Sequence, residues 1–531
     1  MAEKNDAGQR ILQETYGQRR PEDLRNGSSI LASGGASSTP SYPIFDCLRV
    51  LNFLSDVRDV CYTVYTVYPP EYLEEITLPD TYEGLDILYE KKWGENVPED
   101  LKESISDMIK LLESNSQLTA KMLENFSASQ KLVKMHRECV PLGVLPFHYT
   151  ATLHDMKVDA RGPDDEIYNK NPEIRKMIAR GTTTMELQGK ESTCHDVVIY
   201  ANKKFTGGVG DEDENQPHND DVWREYCLEP PENAVKIICM EKLNGDAVHF
   251  SGRFIDGRFY LIAGSKNVHM LLGKKSDIDL YEGSRYQSAK MFAATVFDTF
   301  ANLSVDERRV LFGFLHHTKV TAICEVLQPK YQHIVNLSHL KENELNFITF
   351  TPTAFREKET TLTAFPPHLT LKLGAALGLV CAQYTEIKPT LMMNQRDKIR
   401  AYHNKEGEVL YYLNQDGKTF GIAKAKSVWY ICLRALREKA VYTFTSKKGK
   451  SDWNLEDRIK SVHKRYTEIQ NWLKISEQCL RSWKSLGESF MRWLDKEVRR
   501  NNVDPKSIRP DFPVIWKRFL EEDDKDDQIQ L

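Results

Sequence analysis

The chain has no run near the ~18 uninterrupted apolar residues of a bilayer span. Its start, Met1-Ala2-Glu3-Lys4-Asn5-Asp6, lacks the apolar segment of a secretory signal. It has no C-x-x-C pair, although ten cysteines lie at 47, 61, 139, 194, 227, 239, 324, 381, 432 and 479. Several sit in apolar runs, such as Ile237-Ile238-Cys239-Met240 and Ala322-Ile323-Cys324. They read as reduced core residues rather than a zinc site or disulfide frame, and an intracellular protein, cytoplasmic or nuclear, is expected. A strong net charge is also missing, at −5 for 531 residues. The distribution is uneven, however. Residues 394–500 carry 24 Lys and Arg against 13 Asp and Glu, a surplus compatible with a nucleic-acid face on an otherwise acidic chain. Solvated helix faces are the bland alternative.

What is present divides into segments. Residues 1–44, rich in Ser, Gly and Asn, are expected to form a disordered tail. Residues 45–165 read as a helical module, with Asp100–Cys139 near helical spacing throughout. From 166 to 450 strands and turns dominate. Asp256-Gly257 and Asp416-Gly417 mark two hairpins, and Ser304-x-x-Glu307 is a capping-box candidate dividing helical sequence at 287–316. The expected class is α+β with antiparallel sheet. Residues 451–531 read as helical again, with Gly487 a candidate break and Glu521–Asp527 a solvated acidic end. Trp472, Trp483 and Trp493 recur at helical spacing and read as packing residues rather than base-stacking platforms.

The candidate chemistry centres on Lys242. It ends an apolar strand and precedes Leu243-Asn244-Gly245. A lysine amine becomes a nucleophile when desolvation or neighbouring cations lower its pKa. Lys204, Lys266, Lys424 and Lys426 are candidates for that role. Attack on the α-phosphate of ATP would leave AMP on the lysine and release pyrophosphate. Arg180 and the lysines would carry the phosphate charge, and Glu406 would hold a divalent metal. Glu325 lies in an apolar strand where an unpaired carboxylate is costly, which favours a functional partner. Taken singly, Lys242 would be a surface lysine at a strand end, Arg180 an exposed turn arginine and Glu406 an exposed turn glutamate.

These residues carry a resemblance. Arg180-Gly181 followed by Lys203-Lys204-Phe205 resembles the entry region of the phage-type RNA ligase 1 family. Lys242-Leu243-Asn244-Gly245 resembles its nucleotidyl motif I, Gly264-Ser265-Lys266 its motif Ia and Ala322-Ile323-Cys324-Glu325 its motif III. Glu406-Gly407-Glu408-Val409 is similar to motif IV, and Lys424-Ala425-Lys426-Ser427-Val428-Trp429-Tyr430 to motif V. The likeness spans roughly residues 170–435, and the ligase domain of fungal tRNA ligases is similar in having Asn at position 244. Thr206-Gly207 departs from the entry motif, and about 70 residues separate motifs III and IV.

The resemblance implies an adenylation domain that grasps ATP with magnesium, or manganese in its place, and joins 5′-phosphate and 3′-hydroxyl ends of RNA, tRNA among them. By position, it implies that Lys242 accepts AMP, Gly245 lines the nucleotide and Glu325 binds the ribose. Lys424 and Lys426 would meet the α-phosphate, Arg180, Lys204 and Lys266 the rest of the nucleotide, and Glu406 the metal. The basic C-terminal helices would position RNA. The alternatives are a catalytically silent RNA-binding protein of the same fold and a capping or DNA-ligase type of nucleotidyltransferase. The latter would be expected to continue into a β-rich domain, whereas helical periodicity follows residue 451. His316-His317-Thr318 and His368-Leu369-Thr370 look like the H-x-T pair of RNA phosphodiesterases by coincidence. Gly417-Lys418-Thr419 lacks the upstream glycine of a P-loop.

Overall fold

The computed structural model describes residues 99–160, 164–212, 216–352, 365–445 and 454–529. The tail at 1–44 and the first part of the expected helical module, to residue 98, lie outside the described residues. The described residues open with helix α1 (Glu99–Ser129) and continue into β1 (Val133–Cys139) and β2 (Thr150–Val158). Helices α2 (Asp165–Lys170) and α3 (Pro172–Met177) precede β3 (Thr182–Gln188) and β4 (Thr193–Tyr200). The four strands form an antiparallel sheet in the order β1-β2-β3-β4. Residues 133–158 were expected to be helical, and the boundary at 165/166 cuts through this sheet. The helical pattern holds only to Ser129. Beyond it, residues 133–139 pair with residues 152–158, and β2 pairs in turn with the strand at 182–188. Within α1, Leu118 faces outward, while Leu112, Ala120 and Leu123 are buried.

Two five-stranded sheets follow. One runs β11-β10-β7-β8-β9, from β7 (Asp246–Ile255), β8 (Arg258–Ser265), β9 (Val268–Leu272), β10 (Thr321–Leu327) and β11 (Glu344–Thr351). The Asp256-Gly257 turn joins β7 to β8 with both residues at positive φ, the geometry that tight hairpins need. Helices α4 (Gln287–Ala301) and α5 (Val305–Thr318) cover this sheet. They divide at Ser304, whose hydroxyl accepts from the Glu307 backbone while the Glu307 carboxylate returns a bond to the Ser304 N–H, as the capping box predicts.

The other sheet runs β12-β6-β13-β14-β5, from β5 (Thr206–Gly207), β6 (Lys236–Lys242), β12 (Tyr384–Ile387), β13 (Gly407–Leu413) and β14 (Thr419–Lys426). All its pairings are antiparallel except that of β14 with the two-residue β5. Helices α6 (Pro367–Ala376) and α7 (Met392–Arg400) fill the sequence between motifs III and IV. The fold is α+β with antiparallel sheets, as the sequence implies.

Four helices end the chain: α8 (Val428–Thr445), α9 (Leu455–Leu473), α10 (Glu477–Arg499) and α11 (Phe512–Glu522). They share one core, in which Trp429, Tyr430 and Leu433 of α8 pack with Tyr466, Trp483, Phe490 and Trp516. The expected boundary at 450/451 therefore does not separate two cores, and all the described residues belong to one compact unit. Gly487 does not break its helix. It lies inside α10 against the Tyr466 ring. The acidic end is not all solvated either, because Asp527 is buried.

Candidate functional site

Register builds the site. Lys242 ends β6, Gly407 begins β13 and Lys426 ends β14, and the three stand abreast on adjacent strands. Gly407 puts no side chain between the lysines. Glu406, just before it, reaches in with Oε1 2.7 Å from the Lys242 ammonium and 4.0 Å from that of Lys426. The Lys426 ammonium also stands over the Tyr430 ring. The turn from β6 to β7 passes between the two large sheets. There the Gly245 N–H donates to Glu325 Oε1 at 2.9 Å. A Cβ on Gly245 would stand 2.1 Å from the Val326 carbonyl, so only glycine allows this approach.

Asn244 ties this cluster together. Its amide donates to Glu406 Oε2 at 2.7 Å, and its oxygen accepts the Ile334 and Val335 N–H groups at 2.9 and 3.0 Å. An aspartate could accept these backbone bonds but could not donate to Glu406.

The remaining cations form an adjoining group. Arg180 and Lys266 both pair with Asp164, Arg180 at 3.2 Å. Lys204 pairs with Asp165, and Lys424 lies 2.9 Å from Glu212. Glu212 is held in turn by the Thr206 hydroxyl, so the departure at Thr206 has a structural role. Gly207 has one too, since a Cβ there would stand 2.4 Å from the Lys424 carbonyl. Arg400 joins Asp211 to the Lys426 carbonyl, and Asp211 accepts the Lys426 N–H.

Sequence reasoning named the cations and missed their partners, Asp164, Asp165, Asp211 and Glu212. The clustering of acids in Asp164-Asp165-Glu166 and Asp211-Glu212 was the available signal. All the sequence-assigned residues meet in this region. Lys242, Gly245, Glu325, Glu406 and Lys426 form one cluster. Arg180, Lys204, Lys266 and Lys424 form the other. The two are electrostatically linked, because Lys242 senses Arg180 and Lys426 senses Lys424.

The electrostatics correct one expectation. Lys242 was expected to have a lowered pKa. Burial does pull it down, but the Glu406 and Glu325 carboxylates outweigh that and hold it above the ordinary lysine value. The lowered lysines are its neighbours. Burial, with repulsion from Lys424, brings Lys204 and Lys426 to about 7. Burial and Arg180 bring Lys266 to about 8. Asp164 resists its own burial and falls to about 2 beside Arg180 and Lys266. Burial raises Glu325, whereas Lys242 and Lys426 overcome burial at Glu406 and lower it.

A third layer holds the strand ends from behind. The buried Asp527 carboxylate accepts the indole N–H groups of Trp429 and Trp516 at 2.8 and 2.7 Å and lies 2.7 Å from His403 Nε2. His403 precedes Glu406 by one short turn, and Trp429 follows Lys426 at the start of α8. Ser427 closes the same corner, bonding the carbonyls of Glu406 and Lys405.

The arrangement is an α+β scaffold that converges the partly exposed Lys242, the buried Glu406, the half-buried Glu325 and a group of further cations near the meeting of two sheets. The chain belongs to the family described as Domain of unknown function (DUF7920), whose model matches residues 157–437. Among solved structures it is similar to an RNA ligase of Naegleria gruberi, a lysine-to-alanine mutant with ATP and Mn. The identity is 13%, over 57% of this chain and 97% of that one, with a TM-score of 0.26. No curated protein matches the chain. Among the described residues no helix is long and apolar enough to cross a membrane.

Proposed function

We propose that the chain is an ATP-dependent RNA ligase, acting through lysyl-AMP and RNA-adenylate to join 5′-phosphate and 3′-hydroxyl ends. The observation that carries this reading is the row Lys242, Gly407 and Lys426, with Glu406 reaching between the two amines.

Lys242 is the nucleophile. It ends the row beside Glu406 with its side chain 23% exposed, while those of Lys204 and Lys426 are 2% exposed. Its Nζ attacks the α-phosphorus of ATP. A P–N bond forms, the P–O bond to pyrophosphate breaks and the ammonium proton is lost. Lys426 and Lys424 stabilise charge on the α-phosphate, and Arg180, Lys204 and Lys266 do so on the outer phosphates. A 5′-phosphate oxygen of RNA then takes the adenylyl group and frees Lys242. A 3′-hydroxyl displaces AMP to complete the phosphodiester.

The donor set fits a phosphate-bound divalent ion rather than a protein cage. Among the described residues no three His, Cys, Asp or Glu side chains converge to hold a metal. Magnesium commonly takes one or two carboxylates and completes its shell with phosphate and water. Glu406 would be its carboxylate, with manganese as a substitute, and the ion would neutralise phosphate charge.

The test is incubation with α-labelled ATP and magnesium. Wild type should acquire a covalent AMP label and join 5′-phosphorylated RNA. Lys242→Ala, folded by its melting curve, should do neither, and retained labelling would refute the assignment.

A further inference from the structure

Lysines and arginines also gather outside the nucleotide cluster. Arg434, Arg437 and Lys439 of α8 meet Arg458, Lys464 and Arg465 of α9 within mutual electrostatic range. Arg509, in the loop before α11, joins them. The carboxylates paired with this group are Glu438, shared by Arg437 and Arg509, and Glu468, which holds Arg465. Six cations from three segments thus gather around the buried Arg437, with Glu438 and Glu468 paired among them. Burial and repulsion from Arg437 push Arg434 down to about 10, far below an ordinary guanidinium.

Aromatic rings stand among the cations. Tyr442 is 52% exposed with the Arg458 guanidinium 4.9 Å from its ring centre, and Arg465 covers Trp472 at 4.5 Å. Cations tracking a backbone with an exposed ring between them suit single-stranded nucleic acid.

The face is joined to the site by one stretch of chain. Arg437 donates to the His333 carbonyl at 3.2 Å, and the Gln332 N–H donates to the Pro510 carbonyl at 2.9 Å. The next two residues, Ile334 and Val335, donate to Asn244, which holds Glu406. Residues 332–335 therefore back onto the cationic face on one side and onto the Lys242 pocket on the other.

We propose that the face formed by α8, α9 and Arg509 is where the phosphodiester backbone of single-stranded RNA docks beside the Lys242 pocket, with Tyr442 stacking on a base. This rests on the ligase reading and narrows the RNA-positioning surface to one face of the helical region.

The double variant Arg458→Glu/Lys464→Glu tests it, with Lys275→Glu as a control elsewhere on the surface. The probe is a 5′-phosphorylated single-stranded RNA, with anisotropy read across a salt series. The double variant should bind at least about tenfold more weakly at low salt, and its log–log salt slope should fall by about 1.4, the share of two phosphate contacts. AMP labelling of Lys242 should be unchanged, because neither residue belongs to the nucleotide cluster. Tyr442→Ala should weaken RNA binding several-fold with the slope retained, and Tyr442→Phe should restore it. RNA affinity and slope equal to those of Lys275→Glu would overturn the proposal. So would a wild-type protein that ignores RNA and binds an acidic peptide or anionic vesicles through this face. Loss of AMP labelling in wild type would instead defeat the ligase reading, and the RNA measurement would still stand by itself.

Discussion

At the scale of single residues, Lys242 holds a proton that the proposed chemistry requires it to lose. Glu406 and Glu325 keep its pKa above the ordinary value, so its neutral fraction grows about tenfold per pH unit through neutrality. Single-turnover AMP labelling at saturating ATP should therefore rise with a slope near one up to about pH 7 and flatten above it, as Lys204 and Lys426 lose the charge that meets the phosphates. Lys426 has the opposite linkage. Its folded pKa of about 7 lies below that of an unfolded lysine, so between the two values the unfolded chain holds a proton that the folded chain lacks. Stability should then rise with pH across that window, by about 1.4 kcal/mol per unit. Urea melts of Lys426→Met at alkaline pH should show that slope reduced by one proton's worth. Asn244→Asp would replace a donor facing Glu406 with a second carboxylate. A lost contact of this kind commonly costs about 10²-fold in rate, and AMP labelling should fall to that extent in a folded protein. The residue types of the cluster were legible because each cation sits beside a recognisable turn or strand end. Their carboxylate partners were not, because Lys204 and Asp165, or Lys424 and Glu212, meet only through tertiary folding. For the same reason the sign of the Lys242 shift could not be read from the chain.

At the scale of elements, the two Asp-Gly hairpins and the Ser304 cap were readable because local chemistry alone dictates them. Strands β1 and β2 were not, since the pairing of β2 with β3 is set from outside the segment. The acidic end was misread as solvated for a similar cause. Its carboxylate is buried by Trp429 and Trp516, which lie far from it or on another helix. Asp527→Ala would strand two buried indole N–H groups and free His403, a loss of about 2–4 kcal/mol if each orphan costs about 1–2. Tm and AMP labelling should fall together, and Asp527→Asn should recover part of both.

At the scale of the whole molecule, α8 belongs to two bodies of structure at once. Its first residues extend the strand that carries Lys424 and Lys426, and its apolar side is buried by α9, α10 and α11. Removing the chain from Asp452 onward would uncover Trp429 and Leu433. The shortened protein should aggregate or melt early rather than keep AMP labelling and lose only RNA joining. Trp483→Ala should cost about 3–5 kcal/mol and lower one common transition, seen equally by far-ultraviolet circular dichroism and by labelling activity. The Asp527 clamp also bears on the order in which the chain is made. A nascent chain acquires Lys242, Glu406 and Lys426 long before the ribosome reaches the carboxylate that braces His403 and Trp429. Domains tend to fold as they emerge, but this corner has to wait for its last part. A chain released before residue 527 would therefore carry every group the proposed chemistry needs and still be slow to react with ATP.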